Sequence, residues 1–455
     1  MEEKQNAALG TAPLGKLMVK FALPCTISLL VGALYNIVDQ IFIGWGVGYL
    51  GNGATNVVFP LTVLALGLAV MIGDGACSYV SICFGKNRQE DADCAVGSAV
   101  TLSVSVGVLV AGFYAVFQTP ILLLFGATEA NLAYAKEYFT YITIGIPIYV
   151  FGQAINPIIR SDGSPRFAMA SMLAGAIANC ILDPIAIFVL RWGVMGAAVA
   201  TVAGQVITAA MGVWYLCHTK ALRLGKDDFK LRGKILAAYL PLGLCSFLAQ
   251  ISLVIAMAAT NNMLVQYGAG SKYGADIPLT VLGIVMKVFQ IIISITIGMS
   301  AGCIPIVGYN YGAGNSERVK KTFKLLLAVC LTYSFLLWGF IELFPQGFAR
   351  MFSSDAALID FTAHALRIYC AVLCLFGIQM SCQMAFVSIG SALCSISVAV
   401  VRKFVLLLPL IYIMPAFVVD KTMGVYMAEP VADVIAITFT SILFTIQFGK
   451  AMKKL

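Results

Sequence analysis

Leu17 to Trp45 reads LMVKFALPCTISLLVGALYNIVDQIFIGW, an apolar run that nevertheless carries a carboxylate, Asp39, near its far end. A helix rises about 1.5 Å per residue, so roughly 20 residues cross the ~30 Å hydrocarbon core of a bilayer, and this run suffices. An ionised Asp at membrane depth costs about 2.5 kcal/mol or more on insertion scales, so Asp39 must face protein or a watery cavity and have partners there. Pro24 removes a backbone donor one-third of the way along and marks a point where the helix can bend.

The rest of the chain has the same character. Of 455 residues, 60% are hydrophobic and 11% charged, against about 25% charged in soluble domains. This composition predicts an all-α polytopic membrane protein embedded in a lipid bilayer. The polar N-terminus MEEKQNAALGTAPLG lacks an Ala-x-Ala site after a short apolar core, so no cleaved signal peptide is expected. Thirteen cysteines are scattered without a CxxC pair and read as packed thiols rather than metal ligands or disulfides. No GxxxxGK[ST] loop is present, which argues against ATP-driven transport within this chain.

Apolar runs of membrane length recur at 17–43, 55–84, 95–117, 139–159, 167–190, 194–217, 237–266, 278–311, 323–344, 365–388, 397–417 and 424–448, which predicts twelve transmembrane helices. With the N-terminus inside, twenty lysines and arginines from Lys4 to Lys454, Arg160 among them, fall on the inner side. Lys136, Arg191, Lys272, Arg350 and Lys421 fall outside. This asymmetry predicts both termini in the cytoplasm, and it explains the net charge of +8 better than a nucleic-acid partner would.

The two sides of the basic connector His218–Lys234 resemble each other. IGDGACSYVSICFGKNRQEDA after helix two and IGMSAGCIPIVGYNYGAGNSERV after helix eight align Gly75, Gly85 and Glu90 with Gly302, Gly312 and Glu317. MGAAVATVAGQ from Met195 faces MGVYMAEPVAD from Met423, and Pro24 and Pro241 open corresponding helices. Two six-helix lobes in parallel orientation follow, 1–224 and 225–455. Repeats of this kind put the transport path at their interface, with rocking of one lobe on the other for alternating access.

Depth then groups the polar residues. Asp39 in helix one, Asp183 in helix five and Thr201 in helix six all fall in the outer half of the membrane, and Asn179 shares a helical face with Asp183 at i,i+4. Two carboxylates, an amide oxygen and a hydroxyl can ligate a hard cation, and they can equally carry a proton. A hydrogen-bonded cluster that only joins helices is the bland alternative. Asp74, between two glycines in the inner third of helix two, reads as a conformational or inner-mouth residue.

Leu23-Pro24 with YNIVDQIFIG, GDGACSYVSICFGK, NPIIRSDGSPRFAM, NCILDP and CIPIVGYNYGAG together resemble the multidrug and toxic compound extrusion (MATE) transporters, in their MepA-like bacterial branch. The resemblance spans nearly the whole chain. It implies the MATE fold, not an enzyme. The implied activity is an antiporter of the bacterial plasma membrane that exchanges Na+ or H+ for amphipathic cationic drugs, acting as a monomer with no tightly bound cofactor. It places the cation site on Asp39, Asn179, Asp183 and Thr201 and the bending proline on Pro24. The C-lobe acids of some members are replaced here by Gln250 and about Met380.

Other residues carry weaker expectations. Tyr35, Asn36, Gln153, Asn156, Gln250 and Met286 are candidates to line the substrate cavity, with packing or the capping of freed carbonyls as their alternative. Glu429, opposite Thr201 in the repeat, is expected to pair with Lys287, while Arg402 and Lys403 are expected to snorkel to the headgroups. A lipid-linked-sugar flippase of the same superfamily is the alternative function. An intramembrane aspartyl protease using Asp39 and Asp183 is disfavoured because neither acid has a GxGD setting.

Overall fold

The computed structural model describes residues 8–268, 276–351 and 356–455, and among these every long element is a helix. The spans are α1 (Leu14–Gly46), α2 (Tyr49–Gly85), α3 (Gln89–Val116), α4 (Leu132–Ser161), α5 (Pro165–Pro184), α6 (Gly193–Leu216), α7 (Gly233–Gly268), α8 (Asp276–Gly302, continued by Ile304–Gly312), α9 (Ser316–Leu343), α10 (Ala356–Tyr369 and Phe376–Ser388), α11 (Ala392–Val400, then Val401–Leu407 and Leu408–Ile413) and α12 (Lys421–Lys453). Eleven are unbroken enough to cross a membrane, and α10, bent by 41° between its two pieces, makes the twelfth. Lys4 and Lys272, both counted in the charge asymmetry, lie outside the described residues.

Local chemistry sets the irregularities. α1 runs through Pro24, where the missing N–H leaves one carbonyl a turn earlier without its helical partner; Ser28 Oγ donates to the Pro24 carbonyl at 2.9 Å. α5 widens into a π-helical stretch, Ile185–Val189, directly after Asp183 and Pro184. The equivalent span of the second repeat does the same at Val401–Leu407, which carries Arg402 and Lys403. Such wide turns release backbone groups and commonly sit at functional positions.

The two sequence repeats meet where backbones can touch. A Cβ on Gly243 of α7 would lie 1.8 Å from the Met71 carbonyl of α2, and one on Gly75 would lie 2.4 Å from the Tyr239 carbonyl. The corresponding contact joins α8 to α1, where Gly298 abuts Thr26 and Gly302 abuts Ala22, with Cβ distances of 2.5 Å to each Cα. Gly85 and Gly312, matched in the sequence repeat, face each other between α2 and the end of α8. No side chain fits at these crossings. All of these contacts lie in the half of the bundle that holds both chain termini.

Burial separates interior from periphery: 72% of the apolar window of α4 is buried within the protein but only 22% of that of α9. Leu109, Val116, Leu336 and Leu393 project outward, as lipid contact requires. The connector after α6 is bound closely to the first repeat. Asp162 accepts from the amides of Lys220, Ala221 and Leu222 at 2.7, 2.8 and 2.9 Å, Asp93 from that of Arg223 at 2.9 Å, and the Phe229 carbonyl from Thr101 at 2.7 Å.

One charge is misplaced by the sequence reading. Arg160 is not an inner-loop cation: α4 extends to Ser161, and the side chain is 6% exposed.

The glycine crossings give a test. Gly243→Val overpacks the α2–α7 contact, a change that typically costs about 1–3 kcal/mol, and should lower the thermal midpoint of the purified protein. Gly339→Ala, which meets nothing within 4 Å, should leave it unchanged.

Candidate functional site

Asp39, Asn179 and Asp183 come together in the half of the bundle away from the chain termini. They are 9%, 2% and 0% exposed. The reason is local: Asn179 and Asp183 share a face one turn apart on α5, and Asp39 sits seven residues before the end of α1 at the same depth. Asn179 Nδ2 donates to Asp183 Oδ1 and to Thr201 Oγ1, both at 3.3 Å. The Asp39 and Asp183 carboxyls meet each other.

Asp39 Oδ1, Asn179 Oδ1 and Asp183 Oδ2 are buried acceptors that no donor reaches among the described residues. Buried acceptors left unpaired are costly, and two touching carboxylates cannot both stay charged without a proton or cation between them. The donor set, all oxygen, suits a hard monovalent cation as well as a proton. Tyr138 of α4 also belongs here, lying among Asp39, Tyr35 and Asp183 with its hydroxyl against Thr201. The sequence reading missed it, since the apolar run starts at residue 139 whereas the helix begins seven residues earlier, at Leu132.

Beside the cluster is a small cavity of about 40 Å³ lined by residues including Tyr35, Gln153, Asn179, Thr201 and Gln205. Asn156 does not line it: it is buried and its Nδ2 donates to the Ala168 carbonyl at 2.8 Å, tying α4 to α5. Asn36 is exposed and donates to the Gly32 carbonyl of its own helix. Gln250 lies against Gly67 at the α2–α7 crossing, and Met286 accepts from the Tyr369 hydroxyl at 3.4 Å.

Asp74 has partners from both repeats. Ser246 of α7 donates to Asp74 Oδ2 at 2.8 Å, and Arg160 of α4 approaches Oδ1 at 3.7 Å while also donating to Cys25 Sγ, next to Pro24. α1, α2, α4 and α7 thus share one buried polar junction.

The expected Lys287–Glu429 pair does not form. Glu429 takes Lys403 Nζ at 2.9 Å and Arg402 Nη2 at 3.4 Å, and Arg402 Nε reaches Asp433 at 2.7 Å. Glu429 and Asp433 are i,i+4 on α12, so their two charges call for two cations on the facing helix, and the wide turn of α11 supplies them. Arg402 does not snorkel; it is 8% exposed and stacks its guanidinium 5.0 Å from the Phe376 ring centroid. Lys287 is half-buried and forms no ion pair among the described residues.

A doubled bundle of twelve spans, with a charged cluster at membrane depth in each repeat, defines a polytopic membrane transporter. The MatE family model matches the chain twice, at residues 24–185 and 246–413, and the protein belongs to that family of transporters. It is 23% identical over 441 residues to the FAD transporter of Shewanella oneidensis, covering 95% of this chain and 94% of that one. It is 24% identical over 386 residues to the multidrug export protein MepA of Staphylococcus aureus, covering 83% and 82%. The outward-facing structure of a multidrug resistance MATE family transporter of the MOP superfamily superposes with a TM-score of 0.91 at 25% identity, over 98% of both chains.

Breaking the second cluster on one side should be severe. Arg402→Met strands the buried carboxylate of Asp433, while Glu429 keeps Lys403, a loss of about 3–5 kcal/mol, and should sharply reduce the amount of folded protein recovered by size-exclusion chromatography. Adding Asp433→Leu to it, which leaves the Lys403–Glu429 pair intact, should restore much of that yield.

Proposed function

We propose that this transporter is a cation-coupled efflux antiporter for amphipathic cationic compounds, and that Asp39, Asn179, Asp183 and Thr201 bind the coupling ion, Na+ or H+. The observation that carries this reading is a pair of touching carboxylates that, with Asn179, leaves three buried oxygens without a donor among the described residues. The similarity to MepA supports the substrate class. The excess of lysine and arginine on the side of both termini supports a cytoplasmic location for those ends in a bacterial plasma membrane.

In this reading the lobes are 1–224 and 225–455, and the glycine crossings are the closed cytoplasmic side. The resemblance to an outward-facing relative supports that assignment. Drug enters from the cytoplasm or inner leaflet when the crossings part. After the protein turns outward, an arriving cation neutralises the Asp39–Asp183 pair and draws α1, α5 and α6 together. Helix one responds at Pro24, where one hydrogen bond is already missing, and the drug is released. Coupling requires that ion and drug stabilise different states, because a ligand with equal affinity for both shifts nothing.

A second reading, export of an anionic flavin dinucleotide, has two supports: the FAD transporter similarity across 95% of the chain and the half-buried Lys287, which has no ion pair among the described residues. The flippase alternative draws no comparable support.

Reconstituted vesicles with Na+ and pH gradients imposed separately discriminate these readings. The wild type should expel a cationic dye under one gradient, Asp39→Asn and Asp183→Asn should lose that efflux by at least about tenfold with normal insertion, and Tyr138→Phe should retain part of it. Full efflux by Asp39→Asn removes the helix-one acid from the mechanism. FAD movement without dye movement establishes the second reading.

A further inference from the structure

A groove of about 470 Å³ opens on the outer surface of the protein between the first turns of α1 and α5, at the end that holds the chain termini. Its wall on α1 is built from two interleaved i,i+4 rows. Lys16, Lys20 and Pro24 form one, and Val19, Leu23 and Ile27 form the other. α5 contributes Arg166 and, one turn deeper, Met169. Cationic groups therefore ring the shallow end and apolar groups continue into the deep end.

Lys20 Nζ lies 5.7 Å from the Phe21 ring centroid, but no carboxylate answers the charges in this groove among the described residues. The charges acting on Lys20 are those of Arg166 and of Lys220 from the connector, both of its own sign. None of Lys16, Lys20, Arg166 and Lys220 forms an ion pair among the described residues. The carboxylate next to Lys220 in the fold, Asp162, is already saturated by three backbone amides and the Tyr215 hydroxyl at 2.6 Å. Like charges gathered around Lys20 repel one another and favour an anion placed beside them. Val19 and Leu23, 62% and 53% exposed, lie within one turn of these charges on the same helix.

We propose that this groove is a binding site for one anionic phospholipid, its phosphate held by Lys16, Lys20 and Arg166 and its acyl chain laid along Val19, Leu23, Ile27 and Met169 against Pro24. Basic pockets between spans at the headgroup level recognise anionic lipid in this way. The same charges make the groove unsuitable for an amphipathic cation, so it is separate from the path proposed for the exported compounds. The lipid contacts α1 at its one proline, the turn least supported by backbone hydrogen bonds.

The test uses the full-length purified protein in neutral micelles, supplied with palmitoyl-oleoyl phosphatidylglycerol or phosphatidylcholine at equal mole fraction. Retained lipid is counted by native mass spectrometry and the thermal midpoint is measured in parallel. Phosphatidylglycerol should be retained preferentially, as one tightly held molecule, and should raise the midpoint. Lys20→Gln with Arg166→Gln should weaken that retention by more than about tenfold, at roughly fivefold per charge removed. Lys20→Arg should preserve it, and Lys320→Gln with Lys324→Gln, at the exposed start of α9, should leave it unchanged. Equal retention of both lipids overturns the proposal. So does a double variant that elutes as folded protein and holds phosphatidylglycerol as the wild type does, or inorganic phosphate at matched concentration reproducing the stabilisation. None of these readouts depends on transport, so they stand apart from the antiport reading.

Discussion

Backbone-to-backbone contact between the repeats is the constraint on which the rest of the molecule depends. At the α2–α7 and α1–α8 crossings the distances leave no room for a Cβ, so the helices approach as closely as packing permits. Dispersion at such short separation is gained by many atoms at once, but only if every glycine is kept. The two crossings are equivalent under the repeat. Gly75 meets Tyr239 as Gly302 meets Ala22, and Gly243 meets Met71 as Gly298 meets Thr26. A contact that is duplicated in this way forms or separates on both sides together, which suits two rigid bodies better than a flexible hinge.

The same scaffold carries two opposite electrostatic arrangements. In the first repeat, acids at membrane depth face each other and leave oxygens without donors. In the second, Glu429 and Asp433 occupy the positions of Thr201 and Gln205 but are answered by Lys403 and Arg402. One cluster requires something from outside to balance it, whereas the other balances itself. A π-helical turn lies in the corresponding span of each repeat, following Asp183 in α5 and, earlier along the span, holding the cations in α11. Local widening of a helix is thus used once beside an acid pair and once to present two bases to a neighbouring helix.

Much of this was legible in the sequence because the bilayer limits the options. Apolar run length gave the spans, though not their breaks, such as that in α10, and depth with i,i+4 spacing grouped Asn179 and Asp183 with Asp39. Depth does not choose among partners, which is why Lys287 was matched to Glu429 in place of the Arg402–Lys403 pair. The usable signal there was that Glu429 and Asp433 present two acids on one face, and a single lysine cannot answer both. Arg160 was misread because the apolar run stops at residue 159 while the helix continues to Ser161, so a buried cation looked like a loop charge. Tyr138 was missed because tyrosine is common near membrane boundaries and its depth alone does not set it apart.

Asp162 fixes more than a turn. By gathering three successive amides of the connector and the Tyr215 hydroxyl, and with Phe229 anchored to Thr101 of α3, it takes up nearly all the slack between α6 and α7. The covalent link between the repeats is therefore a leash only a few residues long, Lys230 to Arg232. Whatever swing one half makes relative to the other is confined to an arc that those three residues can span.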